Sequence, residues 1–354
     1  MKYAKTIAVD LAKNVFELAV SDSAGHVLER RRLSRAAFQK FMDALSPSLV
    51  IMEACGGAHH WGRRFQRQGH EVRLLPARDI RPYVKGNKTD RNDVTGVLEA
   101  NRRANIHAVP VKTPEQQGVL TLHRIREVMK RQRTATANLL RGVLREFGIC
   151  IPMGMSRVIP EVRGALEDAE NDLPFFVRDE INEFLYRLVD LEDRMLAIEG
   201  RLNEYSKCDP RVQRFLQVPG IGLLTATALA ASVGTVDRFK NGRQFSAWLG
   251  LTPTERSSGE RRWLGRITKR GDVYLRTLLI HGARSILQSA RIKQKKGEPL
   301  NRLQEWGISV SDRQGHNRAA CAMANKLVRR IWAMEHHGHS FDPNHISQRP
   351  IMTG

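Results

Sequence analysis

The N-terminal part of the chain carries a hydrophobic pattern that few folds can accommodate. Residues 6–11 form a short apolar run, and residues 14–20 and 26–33 alternate apolar with polar positions on either side of the turn signal Ala24-Gly25. Such runs joined by short turns predict an antiparallel meander. Residues 34–45 then predict a helix capped by Ser34, and 49–54 a buried strand, followed by a helix at 58–68 and a strand at 71–75. Because strands now alternate with helices, the pattern predicts parallel pairing and an α/β domain.

Carboxylates interrupt these elements at four positions. Asp10 lies inside the first strand, Glu53 ends the fourth, and Asp90 and Asp93 are one turn apart on a helix that Thr89 would cap. A charge in an apolar strand is costly unless it is paired or bound to metal, and clustered carboxylates suit Mg²⁺. For the last two acids, the alternative is an acidic first turn that complements the helix dipole. Four acids on neighbouring elements favour a metal site.

The charge balance indicates the class of partner. The chain has 354 residues, 58 Lys and Arg against 37 Asp and Glu, and a net charge of +21. Basic residues are spread along the whole chain, which is typical of a protein that neutralises nucleic-acid phosphates. A membrane-surface role is the competing interpretation, but no apolar run reaches spanning length. We therefore expect two or three domains that bind nucleic acid and no membrane partner.

Cysteine usage and the N-terminus indicate a cytoplasmic protein. Cys55, Cys150, Cys208 and Cys321 show no paired metal-ligand spacing, and we expect reduced, buried thiols. The first residues continue directly into a strand pattern, without the features of a signal peptide.

The middle of the chain is predicted to be helical. Residues 114–147 form one helix, on which His123 is grouped with the arginines and lysines of a basic surface that faces either phosphate or plain solvent. Residues 148–163 contain Pro152, Gly154 and Pro160 and are predicted to be a loop. Residues 175–205 form a second helix, whose apolar stripe packs within the chain or as a coiled coil between copies. The stripe comprises Phe176, Ile181, Phe184, Leu185, Leu188, Leu191, Met195 and Ile198.

Two glycine-containing motifs organise the C-terminal part. The segment 218–222 has the sequence Val-Pro-Gly-Ile-Gly and precedes an Ala-rich helix. This pattern predicts a helix-hairpin-helix in which Gly220 and Gly222 adopt positive φ and let backbone N–H groups reach a phosphate. The alternative is an ordinary turn between helices. Further helices are expected at 239–249, through Leu275 to Leu279, and at 317–334.

A serine pair, Ser257 and Ser258, lies in a predicted loop surrounded by basic residues. A loop serine is usually a turn former, so the pair alone says little. Arginines, however, can neutralise a phosphate and stabilise the charge of its transition state, while a serine can form a covalent link to phosphorus. The basic residues are Arg256, Arg261, Arg262, Arg266, Lys269, Arg270 and Arg276.

The segments 9–13, 52–56 and 88–93 resemble the three signature segments of the DEDD-type transposases of bacterial insertion sequences. The chain is most similar to subgroup eleven-eleven of the group numbered one hundred and ten. The blocks Gly-Leu-Thr-Pro, Ser-Gly and Arg-Ile-Thr-Lys-Arg-Gly-Asp resemble the second conserved region of that family. The resemblance covers nearly the whole chain, from Lys5 to about Glu335.

The resemblance implies a RuvC-like, ribonuclease-H-like N-terminal domain in which Asp10, Glu53, Asp90 and Asp93 bind Mg²⁺. It also implies a catalytic serine, the one before glycine, which is Ser258; Ser257 remains the adjacent competitor. Family members cut and rejoin donor and target DNA under the guidance of a structured bridge RNA. They associate as homo-oligomers, so a dimer or tetramer is expected, and one active site can combine acids and serine from two protomers.

The expected organisation has four parts. Residues 1–148 hold the RuvC-like domain and basic helix, 149–210 a helical coiled-coil or linker region, 211–340 a mainly α transposase domain with the helix-hairpin-helix, and 341–354 a tail. Two other functions remain open: a metal-dependent nuclease of the junction-resolvase kind that uses only the acids, and a non-catalytic basic DNA-binding protein. The serine block favours recombination over both.

Overall fold

The computed structural model describes residues 5–87, 89–103, 106–259 and 261–344. Lys88 of the third signature segment, Glu260 beside the serine block and most of the predicted tail lie outside these ranges. The chain divides into two compact units, residues 1–117 and 118–354. The four-part organisation inferred from the sequence remains a prediction.

The first unit contains a five-stranded mixed sheet. The strands are β1 (Lys5–Leu11), β2 (Val15–Asp22), β3 (Val27–Ser34), β4 (Leu49–Glu53) and β5 (Glu71–Leu75), in the order β3-β2-β1-β4-β5. The first three strands pair antiparallel, and β4 pairs parallel with both β1 and β5. The predicted meander and the switch to parallel pairing are both confirmed.

Helices cover the two faces of this sheet. Helix α1 (Arg35–Asp43) and α2 (Ala58–Arg67) pack against Val9, Phe16 and Met52 on one face. Ser34 caps α1 by accepting a hydrogen bond from the Ala37 amide, as predicted. On the other face, α4 (Asp90–Asn101) packs against Ala8, Ala19 and Ile51, and the two small alanines let the helix approach closely. Short α3 (Ala77–Ile80) and a 3-10 turn (Arg81–Tyr83) precede α4.

The second unit is mainly helical. Helix α5 (Pro114–Glu146) begins in the first unit and continues into the second, where α6 (Met155–Glu167) and α7 (Phe175–Cys208) follow. Next come α8 (Pro210–Leu216), α9 (Leu223–Val233), α10 (Gly242–Trp248), α11 (Val273–Lys295), α12 (Arg302–Gln314) and α13 (His316–His337). Strands β6 (Pro253–Glu255) and β7 (Leu264–Ile267) form a separate two-stranded sheet between α10 and α11.

In the helical middle of the chain, two local sequence patterns did not predict the observed packing correctly. The predicted loop at 148–163 is wrong in its second half, because α6 begins at Met155 and contains Pro160. Val158 and Val162 of α6 are fully buried in a core with α5 and α7, which outweighs the cost of one proline. Phe176, placed in the buried stripe of α7 by its spacing, is 72 % exposed. Its position near the start of the helix leaves it beyond that core.

His123 is buried, although the sequence predicted it to lie on the basic surface of α5. It is 2 % exposed, with Nδ1 at 2.9 Å from the Tyr274 hydroxyl and Nε2 at 3.0 Å from Thr227 Oγ1. Burial, together with the neighbouring Arg126 charge, lowers the pKa of His123 to about 4. The imidazole is therefore neutral at pH 7 and joins α5, α9 and α11 through hydrogen bonds.

The remaining core of the second unit is built on α13. The predicted stripe, including Met323, Leu327 and Ile331, is fully buried against α10, α11 and α12. Helix α12 was not anticipated; Asn301 and Gln304 form a capping box at its start. Helix α10 is shorter than predicted, because Asn241 caps it by accepting from the Gln244 amide.

The four cysteines are free, but none is fully buried as expected. Cys150 and Cys208 are exposed and Cys55 and Cys321 are partly buried. The two exposed thiols follow or end the long helices α5 and α7, where the helical core stops. Within the described ranges, no helix is both long enough and apolar enough to cross a membrane.

Candidate functional site

The register of the sheet places one acidic residue from each of three neighbouring strands on a common face. Asp10 pairs directly with Glu17 of β2, and Ala8 pairs with Ala19. Val9 pairs with Met52, so Glu53, the next residue of β4, lies level with Asp10 at the end of the sheet. Because side chains alternate along a strand, Asp10, Glu17 and Glu53 share the face that α4 covers.

Helix α4 brings its first turn to this face. Thr89 caps the helix by accepting from the Asn92 amide at 3.3 Å, as predicted. Asp90 and Asp93 therefore lie in the first turn, with their side chains on one side of the helix. Asp90 lies 3.8 Å from Arg32, which pairs with Glu17, and the charges of Asp90 and Asp93 act on Asp10. All four acids of the signature segments therefore lie at the same end of the sheet.

The carboxylates around Asp10 lie close enough to affect its ionisation. Burial is the largest effect and the charges of Asp93, Asp90, Glu53 and Glu17 add to it, so that the pKa of Asp10 rises to about 6. Burial, with Glu53 and Asp10, also raises the pKa of the nearby Cys55 thiol.

Glu17 is an acid of this face that sequence reasoning missed. It lies in an alternating strand, where an acidic residue is ordinarily a solvent-facing position. The only signal that could have found it is the pairing register of β1 with β2, which places Glu17 opposite Asp10.

The acids do not form a closed set of ligands. Within the part of the chain that the structure describes, no group of three or more His, Cys, Asp or Glu side chains is arranged to hold a metal ion. Asp90 is 59 % exposed and its Oδ2 lies 3.8 Å from Nη2 of Arg32 on the edge strand β3. A guanidinium thus stands beside one carboxylate of the predicted metal site.

The turn between α8 and α9 differs from the prediction at one of its glycines. Gly220 has φ +74°, but Gly222 has φ −87° and is the residue that precedes α9. A Cβ on Gly220 would lie 2.6 Å from the Gly282 carbonyl oxygen on α11, and one on Gly282 would lie 1.9 Å from the Gly220 oxygen. Gly220 therefore serves a close backbone contact with α11. Gly222 is exposed, with open space around its Cα.

The serine block forms a β-hairpin and not a loop. Glu255 pairs with Leu264, and Ser258 pairs with Arg261 through two backbone hydrogen bonds of 3.3 Å. The Arg256 amide donates to the Trp263 carbonyl at 2.9 Å, which continues the same register. Residues 253–255 and 264–266 are exposed, so both faces of this two-stranded ribbon contact solvent.

This register separates the two serines. Residues that pair directly share a face and faces alternate along each strand, so Arg256, Ser258, Arg261 and Trp263 lie on one face. Ser257 lies on the other face, where its hydroxyl donates to Glu255 Oε1 at 2.8 Å.

Glu255 also accepts from Arg262 Nε at 3.0 Å. The hydrogen bonds from Arg262 and then Ser257 lower the pKa of the Glu255 carboxyl, which is thus a carboxylate. Ser257 is consequently committed to a local acidic network, whereas Ser258 faces arginines.

The other predicted phosphate-binding residues fall into two groups. Arg256, Arg261, Arg262, Arg266, Lys269 and Arg270 are exposed. Arg276 is 7 % exposed, and its Nη1 donates to the carbonyl oxygens of Leu249 at 3.3 Å and Arg270 at 3.1 Å. Arg276 thus braces the base of the hairpin and does not present its charge at the surface.

Two glycines allow close backbone contacts at the base of the hairpin. A Cβ on Gly250 would lie 1.9 Å from the Arg270 oxygen, and one on Gly271 would lie 2.0 Å from the Trp248 oxygen. The end of α10 and the start of α11 are therefore held together beneath the ribbon. The four acids belong to the first unit, and both serines and the basic residues of the hairpin belong to the second.

Comparison with protein families gives two matches. Residues 7–149 match a family of transposases of the DEDD type, and residues 212–297 match the family described as "Transposase IS116/IS110/IS902 family". The first match contains all four acids and the second contains the α8–α9 turn and the serine hairpin.

Three proteins that are similar to this chain over nearly their whole length are named as transposases. A probable family 20 transposase of Pseudomonas aeruginosa is 42 % identical over 93 % of this chain and 96 % of its own length. The transposase for insertion sequence element IS1111A of Coxiella burnetii is 39 % identical over 94 % and 90 %. The transposase for element IS1328 of Yersinia enterocolitica is 35 % identical over 95 % and 98 %. The chain therefore belongs to the IS110 family of DNA transposases.

Proposed function

We propose that this transposase cuts and rejoins DNA through a covalent link to Ser258, assisted by Mg²⁺ on the four acids and guided by a bridge RNA. The observation that carries the proposal is the register of the β6–β7 hairpin. It places Ser258 beside Arg256 and Arg261 and leaves Ser257 on the face that Glu255 occupies. A carboxylate would repel a phosphate, so the face of Ser258 is the one that suits phosphodiester chemistry.

The chemical step is a transesterification. Oγ of Ser258 forms a bond to phosphorus, and its proton passes to solvent while the phosphorus–oxygen bond to the departing strand breaks. The departing oxygen takes up a proton and leaves as a hydroxyl. For rejoining, the hydroxyl of an incoming strand attacks the phosphoserine and Oγ regains a proton, so that no phosphodiester bond energy is lost.

The arginines on this face orient and neutralise the phosphate. Arg256 lies two residues before Ser258 on the same strand, Arg261 pairs with Ser258 across the ribbon, and both arginines are exposed. Guanidinium groups form short, charge-assisted hydrogen bonds with phosphate oxygens, and these bonds strengthen as charge builds up in the transition state. Arg266, Lys269 and Arg270 extend the positive surface toward the base of the hairpin.

The donor set of the first unit fits Mg²⁺. Asp10, Glu53, Asp90 and Asp93 supply only carboxylate oxygens, which Mg²⁺ prefers, and their mutual repulsion at Asp10 is of the kind that a divalent cation relieves. The bound ion would polarise a backbone phosphate. Asp90 would need to exchange its partner Arg32 for the ion, which its exposure permits.

Four further parts of the proposal concern the fold and the partners. The mixed sheet with acids at one end supports a RuvC-like first unit, and the exposed Gly222 before α9 supports a helix-hairpin-helix that contacts the DNA backbone. A chain with charge +21 suits recognition by shape and backbone, with sequence left to base pairing by a guide RNA. Exposed Phe175 and Phe176, at 78 % and 72 %, support a homo-oligomer through α7.

The test is a denaturing gel for covalent protein–DNA adduct. Purified protein would be incubated with Mg²⁺, RNA encoded by the element and matching DNA. We expect an adduct with wild type and with Ser257→Ala, and none with Ser258→Ala or Asp10→Ala. Ser257→Ala is the matched control because it alters the same hairpin on the opposite face.

Other outcomes would assign other functions. Cleavage without adduct that survives Ser258→Ala would indicate a nuclease that uses the acids and water. An adduct that disappears only with Ser257→Ala would show that the other serine is the nucleophile. Binding of DNA without cleavage under any metal would make the protein a non-catalytic DNA-binding protein.

A further inference from the structure

The face of the hairpin that carries Ser258 ends in an exposed aromatic residue that the mechanism above does not use. Trp263 pairs with Arg256 and is 72 % exposed, more than any other large apolar side chain of the ribbon. The other four tryptophans are partly or fully buried; Trp61, for example, is 3 % exposed. Burial of a Trp side chain is strongly favourable, and Trp is enriched at interfaces, so an exposed indole is a candidate contact residue.

The surroundings of Trp263 define the chemistry of its partner. Arg256 and Arg261 are exposed on the same face, while Glu255 lies on the other face and is paired with Arg262 at 3.0 Å. Among the described residues, no aromatic ring or guanidinium stacks on the indole. A flat apolar surface bordered by exposed positive charge fits an aromatic ring attached to a phosphate, which is a nucleotide.

Trp263 lies close to the reacting Ser258 on the same face of the ribbon. Ser258 pairs with Arg261, and Trp263 is two residues further along the same strand. Such diagonal neighbours on one face have Cβ atoms about 7–8 Å apart. Successive phosphates of a stacked strand are about 3.4 Å apart along the helix axis, and unstacking lengthens this step, so the indole reaches a base next to a phosphate at Ser258.

We infer that Trp263 is a stacking site for an unpaired DNA base next to the phosphate that Ser258 attacks. In a duplex both faces of every base are covered by neighbouring bases, so an exposed indole gains most from a base that has left the stack. The inference rests on the proposed function, since strand exchange is the step that separates bases beside the cut. It assigns to the hairpin a second task, which is to hold the displaced base.

The hairpin gives a matched pair of variants for the test. Trp263→Ala removes the indole, and Leu264→Ala removes the adjacent side chain on the opposite face, which is 53 % exposed. Any general loosening of the ribbon affects both variants. Trp263→Phe keeps an aromatic ring and is the rescue variant.

The measurement compares two short single strands of equal length and charge, oligothymidine and an abasic strand, binding to the full chain without Mg²⁺ or RNA. We expect wild type and Leu264→Ala to bind oligothymidine more tightly than the abasic strand. Trp263→Ala should lower this preference about tenfold, and Trp263→Phe should recover most of it. Oligothymidine, but not the abasic strand, should also quench the part of the tryptophan emission that Trp263→Phe removes.

Three results would overturn the inference. An unchanged preference in Trp263→Ala would mean that the indole does not stack on a base. An equal loss in Leu264→Ala would mean that the effect is one of hairpin folding. Tighter binding of oligouridine than of oligothymidine, measured in the same way and lost in Trp263→Ala, would identify an RNA base as the occupant. Because no cleavage is needed, failure of the serine mechanism leaves this test intact.

Discussion

Replacing Asp10 by asparagine should stabilise the metal-free protein at neutral pH, although Asp10 is a proposed metal ligand. The pKa of Asp10 is raised from its usual 3.8 to about 6, first by burial and then by the neighbouring carboxylates. Between these two values the folded state binds a proton more tightly than the unfolded chain. The carboxyl therefore favours folding at low pH, and that contribution is lost as pH rises from about 4 to about 6.

The size of the effect follows from the same shift. A rise from 3.8 to about 6 is about two units, and each unit corresponds to about 1.4 kcal/mol. Asp10 is only half-buried, and screening by solvent reduces the resulting figure of roughly 3 kcal/mol to about 1–1.5 kcal/mol. In a unit of this size, that corresponds to an increase in the thermal midpoint of about 3–8 °C.

The assay is thermal unfolding in EDTA and in Mg²⁺ at several pH values. We expect Asp10→Asn to raise the midpoint in EDTA at pH 7, to lose the pH dependence between 4 and 6, and to gain less from Mg²⁺ than wild type does. The control is Glu99→Gln on α4, whose carboxylate is 43 % exposed and paired with Arg102; its effect should stay within about 0.5 kcal/mol. A midpoint lower than wild type in EDTA would refute the electrostatic account of this site.

Three further changes test other parts of the structure. Gly282→Ala should destabilise the second unit by about 1–3 kcal/mol in urea unfolding, since its Cβ would meet the Gly220 oxygen at 1.9 Å, while Gly222→Ala should change little. His123→Gln should flatten the loss of stability below pH 6.5. That loss arises because the unfolded chain takes up a proton that the buried imidazole, with its pKa lowered to about 4, refuses; an unchanged pH profile would contradict it. Pro160→Ala should stabilise α6 by about 1–2 kcal/mol, because Pro160 is exposed and denies the helix one hydrogen bond; a lower melting temperature would count against this account.

The N-terminal sheet shows how much of the fold could be predicted from local sequence patterns. The three antiparallel strands, the change to parallel pairing and the caps at Ser34 and Thr89 all follow from alternation and residue type. Pro160 marks the limit of such reasoning, since it predicted a loop where burial of Val158 and Val162 maintains a helix. His123 marks another limit, because one polar residue on a basic helix carries no sign of the hydrogen-bond partners that other helices bring to it.

In the candidate site, too, some features could be predicted from the sequence and others only from the structure. Residue type alone identified four acids and a serine pair among arginines, since charge in an apolar strand and clustered guanidinium groups are informative wherever they occur. Strand register decided what those residues face, because a shift of one position moves every side chain to the other side of a sheet. Register placed Glu17 opposite Asp10, separated Ser258 from Ser257, and placed Trp263 on the face of Ser258. The sequence by itself determined which chemistry the chain carries, and only the pairing of distant or adjoining strands decided which groups can act together.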